Sequence, residues 1–324
     1  MKLLWRTDVH LSERNPRSRT DNWREAIMNK LRQVGEIADK IGAEAVLDGG
    51  DFFDIKSPSR NSHDLIREVA ELHAEYPCPV YANVGNHDCV YGDYTYLPQQ
   101  PLGVLFSTGV FRRLYDEHDV TFDKAGVKVR VVGIPYHGTT YDMDRFKNIK
   151  KGDEDYLVCI AHVLASKKGG SMFENEDIVK YSDLEQYDPD VWLFGHWHKD
   201  QGVTEIAPGK WVVNVGSLSR GALVQDDMDR KPCAVELSFG GSGPTDTPIE
   251  IIRHDLDIPD SAEIFDVQGR ERAEMRESVM EGFVSALSQS LVSDSKENTL
   301  ESVVAKTDVP DTVRERALHY LELA

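Results

Sequence analysis

Long apolar runs are missing from this chain of 324 residues. None approaches the roughly 20 residues that a membrane-spanning helix needs, so no membrane association is expected. The opening stretch, MKLLWRTDVH, has neither a long apolar core nor a small-residue cleavage site, so no secretory signal is expected. Cysteine is scarce. The four present, Cys78, Cys89, Cys159 and Cys233, are scattered and form no CxxC pair. That excludes a disulfide framework and a structural zinc site, and it suits free thiols in a reducing cytosol. Positive charge is also short: 37 Lys and Arg stand against 56 Asp and Glu, a net charge of −19. A protein that grips nucleic acid unaided usually carries a basic face, so any reading of this chain must answer to its acidity. Internal repeats are absent.

Strand-like and helix-like segments alternate through the first two thirds. Short apolar, β-branched runs at 2–6, 45–47, 79–84, 127–134, 156–160, 191–194 and 211–215 show little polar alternation. Such runs fit strands covered on both faces. Helical patterns at 22–41 and 62–75 lie between them. This favours an α/β layered domain over residues 1–235. A small β extension is expected over 236–262, from CAVELSF and PIEIIRHDLD, followed by an acidic helical region over 263–324. There Val279, Phe283, Val284 and Leu287 form one apolar stripe at helical spacing, and Val313, Ala317, Tyr320 and Leu321 form another.

Polar residues gather where the strands end. The run 2–6 leads to Asp8 and His10, 45–47 to Asp51, and 79–84 to Asn86, His87 and Asp88; His162 follows 156–160, and His196 and His198 follow 191–194. Taken singly, each has an ordinary reading as turn residue, helix cap or surface histidine. Together they occupy the place where open α/β sheets bind ligands. A mixture of carboxylate, amide and imidazole suits Mn²⁺, Fe²⁺ or Zn²⁺, and the set is too large for one tetrahedral ion. Two ions about 3.5–4 Å apart would use it, lowering the pKa of a water and clamping a phosphate for in-line attack. In that reading Asn86 binds through its carbonyl. His87 protonates a leaving oxygen or stabilises phosphate charge, and Asp88 orients His87 or its loop.

The ordered set Asp8-Val9-His10, Gly50-Asp51, Gly85-Asn86-His87-Asp88, His162 and Gly195-His196-Trp197-His198 resembles the calcineurin-like metallophosphoesterases over about residues 1–220. The resemblance implies a four-layer α/β/β/α sandwich and two divalent ions, manganese foremost with iron or zinc as alternatives. Asp8, His10, Asp51 and His198 would hold one ion. Asp51, Asn86, His162 and His196 would hold the other, with His87 catalytic. Within the family, DVHLS, GGDFFDIKSPS and VNVGSLSRG resemble the Mre11/SbcD nuclease subunits, the phage-type recombination nucleases foremost. That branch implies DNA as substrate, a homodimer, a Rad50/SbcC-type ATPase partner, a small capping region, and a cytoplasmic, nucleoid-associated location in a bacterium or phage-infected host. It makes Arg220 a candidate phosphate contact, a structural salt bridge being the alternative.

Arg14, Arg17 and Arg19 cluster after His10 and could contact a DNA backbone; the alternative is a solvated loop. Residues 255–324 carry 16 acidic and 7 basic groups, so nearly half of the net charge lies in the last 70 residues. The last apolar stripe is a candidate docking surface for a partner, the alternative being packing on the chain's own core. Tyr91, Tyr94 and Tyr96 could stack on bases, line a dimer contact or simply pack. Cys89 is read as packing, His137 as structural, and His63, His73, His118, His254 and His319 as surface groups. A metal-dependent DNA nuclease is the leading functional expectation. A phosphodiesterase for small substrates such as cyclic nucleotides is the alternative.

Overall fold

The computed structural model describes residues 1–169, 175–241 and 248–267, together with Gly269, Met275 and Arg314. Its strands run in chain order as β1 (Lys2–Arg6), β2 (Ala45–Asp48), β3 (Val80–Ala82), β4 (Phe111–Arg113), β5 (Val120–Lys124), β6 (Val127–Ile134), β7 (Tyr156–His162), β8 (Ala165–Ser166), β9 (Val179–Lys180), β10 (Val191–Gly195), β11 (Asp200–Ala207), β12 (Lys210–Val215), β13 (Cys233–Phe239) and β14 (Ile249–Asp255). One six-stranded sheet has the order β14-β13-β1-β2-β3-β4; the other has β11-β12-β10-β7-β6-β5; β8 and β9 form a short parallel pair.

Alternate side chains of each central strand serve two different cores. In β1, Leu4 joins the helices α1 (Trp23–Ile41), α2 (His63–Ala74) and α3 (Pro101–Ser107), while Leu3 and Trp5 turn toward the second sheet. In β10, Val191 and Leu193 meet that inter-sheet core, while Trp192 and Phe194 pack outward against α4 (Met143–Lys147) and α5 (Tyr181–Leu184) through Phe146, Tyr181 and Leu184. The layers are therefore α/β/β/α. Strands apolar on both faces read as unbroken runs because each face is buried, and each fully buried large side chain contributes about 1.5–3 kcal/mol.

The helices follow their local signals. Asn22 accepts from Glu25 N and starts α1, and Gly42, at φ 65°, ends it. Ile27, Leu31, Val34 and Ala38 lie on its buried face. Beneath it, β1 and β2 are joined by Arg6, fully buried and 2.7 Å from Asp48. Arg6 also donates to Tyr76 Oη and His73 Nε2. His73 is therefore a buried histidine and not a surface group: Nδ1–H donates to Val69 O, which leaves Nε2 to accept from Arg6.

Residues 233–255 correct the expected domain division. β13 pairs antiparallel with β1 and β14 with β13, so these strands complete the first sheet and are not an extension of a cap. Ala234 packs in the helix-covered core, and Val235 and Leu237 in the inter-sheet core. A second unit spans Asp266–Ala324. The two apolar stripes at 279–287 and 313–321 fall outside the described residues.

Candidate metal centre

Both sheets deliver side chains to one place. β1, β2 and β3 lie parallel and in register, so the turns carrying Asp8, Asp51 and Asn86 emerge side by side. In the second sheet His162 pairs with Gly195, the residue before His196. Backbone hydrogen bonds stitch the turns together: Asp8 N donates to Gly50 O at 3.1 Å and His10 N to Asp51 O at 3.0 Å. His196 N donates to Asp8 Oδ1 at 3.0 Å and thereby crosses from one sheet to the other.

The approach is close enough to require glycine. A Cβ on Gly85 would stand 2.0 Å from Asp51 Oδ1, and one on Gly195 2.3 Å from Thr7 Oγ1. The backbone is strained here as well. Six non-glycine residues among those described have positive φ, and four of them are Asp8 (52°), His10 (49°), Asp51 (54°) and His196 (92°). Such conformations cost about 1–3 kcal/mol each and cluster where function holds them.

The donors form three overlapping groups, of which His10, Asp51 and His87 make the middle one. Asp8, His10 and His198 each offer an atom within 4.8 Å of the others, as do Asp51, His162 and His196. His10 Nε2 and His198 Nε2 face each other at 2.9 Å. His162 donates Nδ1–H to Gly49 O at 2.9 Å, which turns Nε2 to the centre, 3.2 Å from Asp51 Oδ2 and 3.3 Å from Asn86 Oδ1. Asp51 divides its oxygens. Oδ1 accepts from His87 N at 2.7 Å, while Oδ2 sits between His10 Nε2, at 3.7 Å, and His162 Nε2. All seven residues expected to bind metal thus lie in one cluster.

The chemistry of this donor set fits divalent cations. Asp8 and Asp51 are fully buried or nearly so, and among the described residues no Lys or Arg pairs with either. Buried carboxylates without a cation are costly. Burial works to raise the Asp51 pKa, but the charge and hydrogen bond of His162, then His10 and His87, hold it far below the usual carboxylate range. Burial works to lower His162, yet Asp51 and Asp8 push its pKa up to about 10. The crowded centre and the neighbouring His10 charge bring the His198 pKa down to about 4, although its side chain is 46% exposed.

His87 lies beside these groups, its ring 4.8 Å from that of His10 and its side chain 40% exposed. Its Nδ1–H donates to the Asp54 carbonyl at 2.6 Å. Asp54 also holds His10, whose Nδ1 is 3.3 Å from Asp54 Oδ1, so one residue orients two histidines. Asp88 is expected to orient His87 or its loop, and its contacts are to the loop. It is buried and accepts from Asp51 N, Gly85 N and Phe52 N, so it braces the two turns and does not face the open site. Burial, followed by the Asp51 charge, raises its pKa to about 7.

The candidate phosphate contact of Arg220 is corrected. It is 3% exposed and donates to Pro259 O, Ser261 Oγ and Arg230 O. Its guanidinium anchors the loop behind Asp8 and has no donor turned to solvent for a phosphate. Arg19 is likewise committed, to Asp21 and Arg220 O, whereas Arg14 and Arg17 are exposed. His137 is structural, donating to Pro135 O and accepting from Asp142 N. Cys89 is buried with its thiol pKa pushed up to about 11 by burial, which suits packing. Tyr94 packs within the fold, donating to Tyr136 O. Sequence reasoning missed Glu176, which lies 3.0 Å from His196 Nε2, and Tyr136, whose ring lies 5.3 Å from that of His196. Neither belongs to a motif; only the fold places them here.

Comparison with known proteins agrees with this geometry. The family described as calcineurin-like phosphoesterase matches residues 1–200. Among solved structures the chain is similar to the calcineurin-like phosphoesterase YfkN of Bacillus subtilis, with 13% identity, a TM-score of 0.47, and coverage of 81% of this chain and 94% of that one. It is also similar to a hypothetical protein of Thermus thermophilus, with 14% identity, a TM-score of 0.45, and coverage of 79% and 100%. A third is the NAD nucleotidase of Haemophilus influenzae, with 12% identity, a TM-score of 0.43, and coverage of 99% and 59%. The family match spans more than half of the chain and holds every donor gathered at the strand ends, and so this protein belongs to the calcineurin-like phosphoesterases, a family of metal-dependent phosphoester hydrolases.

Proposed function

We propose that the chain is a manganese-dependent DNA nuclease of the Mre11/SbcD type, hydrolysing phosphodiester bonds in repair or recombination as a homodimer with a Rad50/SbcC-type ATPase. The observation that carries this reading is the position of Gly216–Arg220, the segment that resembles the nuclease branch. Leu218 N donates to Thr7 O and Ser219 N to Asp8 O, so it forms the wall behind the metal donors. The Phe52–Asp54 stretch of the second nuclease-like segment lies there too, through Leu11 N to Phe52 O and Asp54 N to Leu11 O.

In this reading Asp8, His10, Asp51 and His198 hold one ion, and Asp51, Asn86, His162 and His196 hold the other. When bound, the ions lower the pKa of a water and neutralise phosphate charge. The chain's own residues do the rest. Asp51 Oδ1 accepts from His87 N and keeps the histidine turn against the centre. The Asp54 carbonyl fixes Nδ1–H of His87, so Nε2 is the atom that carries a proton to the leaving oxygen or stabilises phosphate charge.

Few basic groups serve this site in the acidic chain: Arg19 and Arg220 are spent inside the fold, Arg14 and Arg17 are exposed, and Lys56 donates to Asn86 O at 3.2 Å. Weak intrinsic affinity for duplex DNA is expected, with the ATPase supplying the basic surface. The same observation favours the second reading, a phosphodiesterase for small substrates such as cyclic nucleotides.

Digestion of end-labelled linear duplex DNA with Mn²⁺, alone and with a bound ATPase partner, separates the two. Wild type should degrade DNA, and His87→Ala should be slower by about 10²–10⁴-fold while still binding Mn²⁺. If wild type cleaves a small diester but leaves DNA intact even with the partner, the small-substrate reading stands and the nuclease reading fails.

A further inference from the structure

His196 comes to the centre with one ring nitrogen already engaged. Its Nε2 is 3.0 Å from Glu176 Oε1, and the same oxygen accepts from Tyr141 Oη at 2.7 Å. Glu176 is enclosed, its side chain 9% exposed. The relay is anchored at both ends. Tyr141 Oη accepts from Leu164 N at 2.8 Å, two residues after His162, and Tyr141 N donates to Asp177 Oδ2 at 2.9 Å. Asp177 N in turn donates to Thr139 O at 2.8 Å. The segment bearing Glu176 is thereby stitched to residues 139–141 and to the end of β7, which carries His162.

An imidazole that ligates a metal does so through a nitrogen without a proton, and the partner of its other nitrogen decides which one that is. A carboxylate accepts and cannot donate when ionised, so Glu176 selects the tautomer with the proton on Nε2. Nδ1 is left with a lone pair. We propose that Glu176, held by Tyr141, is a positioning residue that fixes the His196 tautomer and ring, presenting Nδ1 to the cation shared with Asp51 and His162. This rests on the reading of His196 as a metal ligand. The residue is invisible to motif reading, since Glu176 stands in the stretch Glu174-Asn175-Glu176-Asp177, where nothing separates it from its acidic neighbours.

Titration of the metal-free full chain with Mn²⁺ by calorimetry tests the proposal without reference to any substrate. Wild type should show two binding events. His196→Ala and Glu176→Ala should weaken the same one, Glu176→Ala by about 10–100-fold, and leave the other unchanged. Glu176→Gln should recover part of the affinity, because its amide oxygen can accept the Nε2 proton. Tyr141→Phe should lose less than Glu176→Ala. Thermal unfolding in chelator should match wild type for Glu176→Ala, separating positioning from folding. If His196→Ala loses one event and Glu176→Ala binds as wild type, the positioning role is overturned while the ligand reading stands. If His196→Ala also binds as wild type, the ligand reading falls and takes the proposal with it. Should Glu176→Ala not fold, wild-type affinity in Tyr141→Phe overturns the relay.

Discussion

Asp51 has its two oxygens on different duties, and the organisation of the site follows from that division. Oδ1 is occupied by the His87 backbone, so Oδ2 alone is presented to the imidazoles of both outer groups. The strain at φ 54° is the cost of turning that oxygen to where the strand ends of the two sheets meet. The donors could be read from the sequence because each follows a strand end and each is of a type that binds borderline divalent metals. The sequence leaves Arg220 undecided for a physical reason: a motif arginine carries no sign of whether its guanidinium faces solvent or folds back onto nearby carbonyls, as this one does on Pro259 and Arg230. Asp88 follows His87 directly in sequence, yet its carboxylate serves the backbone of Gly85, Asp51 and Phe52. Glu176 reaches His196 across 20 residues, and no local pattern announces it.

Elements buried on both faces were legible, and of the edge strands only β14 was. β1, β6, β7 and β10 stand out as apolar runs because helices cover one face and the other sheet covers the opposite one. The edge strands β5 and β11, sequences VTFDK and DQGVTEIA, mix polar and apolar residues and carry no such mark. β13 and β14 were visible as strands but not as part of the first sheet, because pairing with β1 across more than 200 residues leaves no local trace. The turns between elements carry a prediction of their own. A Cβ on Gly85 would meet Asp51 N at 2.5 Å as well as Asp51 Oδ1, so backbone and not merely a flexible side chain must shift. Gly85→Ala should cost about 1–3 kcal/mol in urea unfolding and also weaken Mn²⁺ binding, because the displaced residue is Asp51. Wild-type metal affinity in this variant would show that the two turns are less tightly coupled than their spacing requires.

For the whole molecule, the buried Arg6, Asp48, Tyr76 and His73 network ties the first sheet to its helices and makes stability depend on pH. Burial, then the charge of Arg6, lowers the His73 pKa well below its ordinary value, with the Val69 hydrogen bond opposing. The unfolded chain takes up a proton near pH 6.5 that the folded chain refuses. His73 therefore contributes stability that is present above about pH 6.5 and lost as the pH falls below it. In urea unfolding in chelator, wild type should lose about 1 kcal/mol more than His73→Gln between pH 7.5 and 5.5. Equal losses would mean that His73 titrates in the folded state as it does in the unfolded chain. The division of labour between sheets is also a property of the whole molecule. β1, β2 and β3 supply one set of donors, β7 and β10 the other, and the sandwich must close before the centre exists.

The most direct test of the two-ion centre is anomalous scattering at the manganese edge from crystals soaked in Mn²⁺. Two peaks about 3.5–4 Å apart, one on each side of Asp51 Oδ2, are predicted. A single peak, or two peaks that do not share Asp51, would contradict the account.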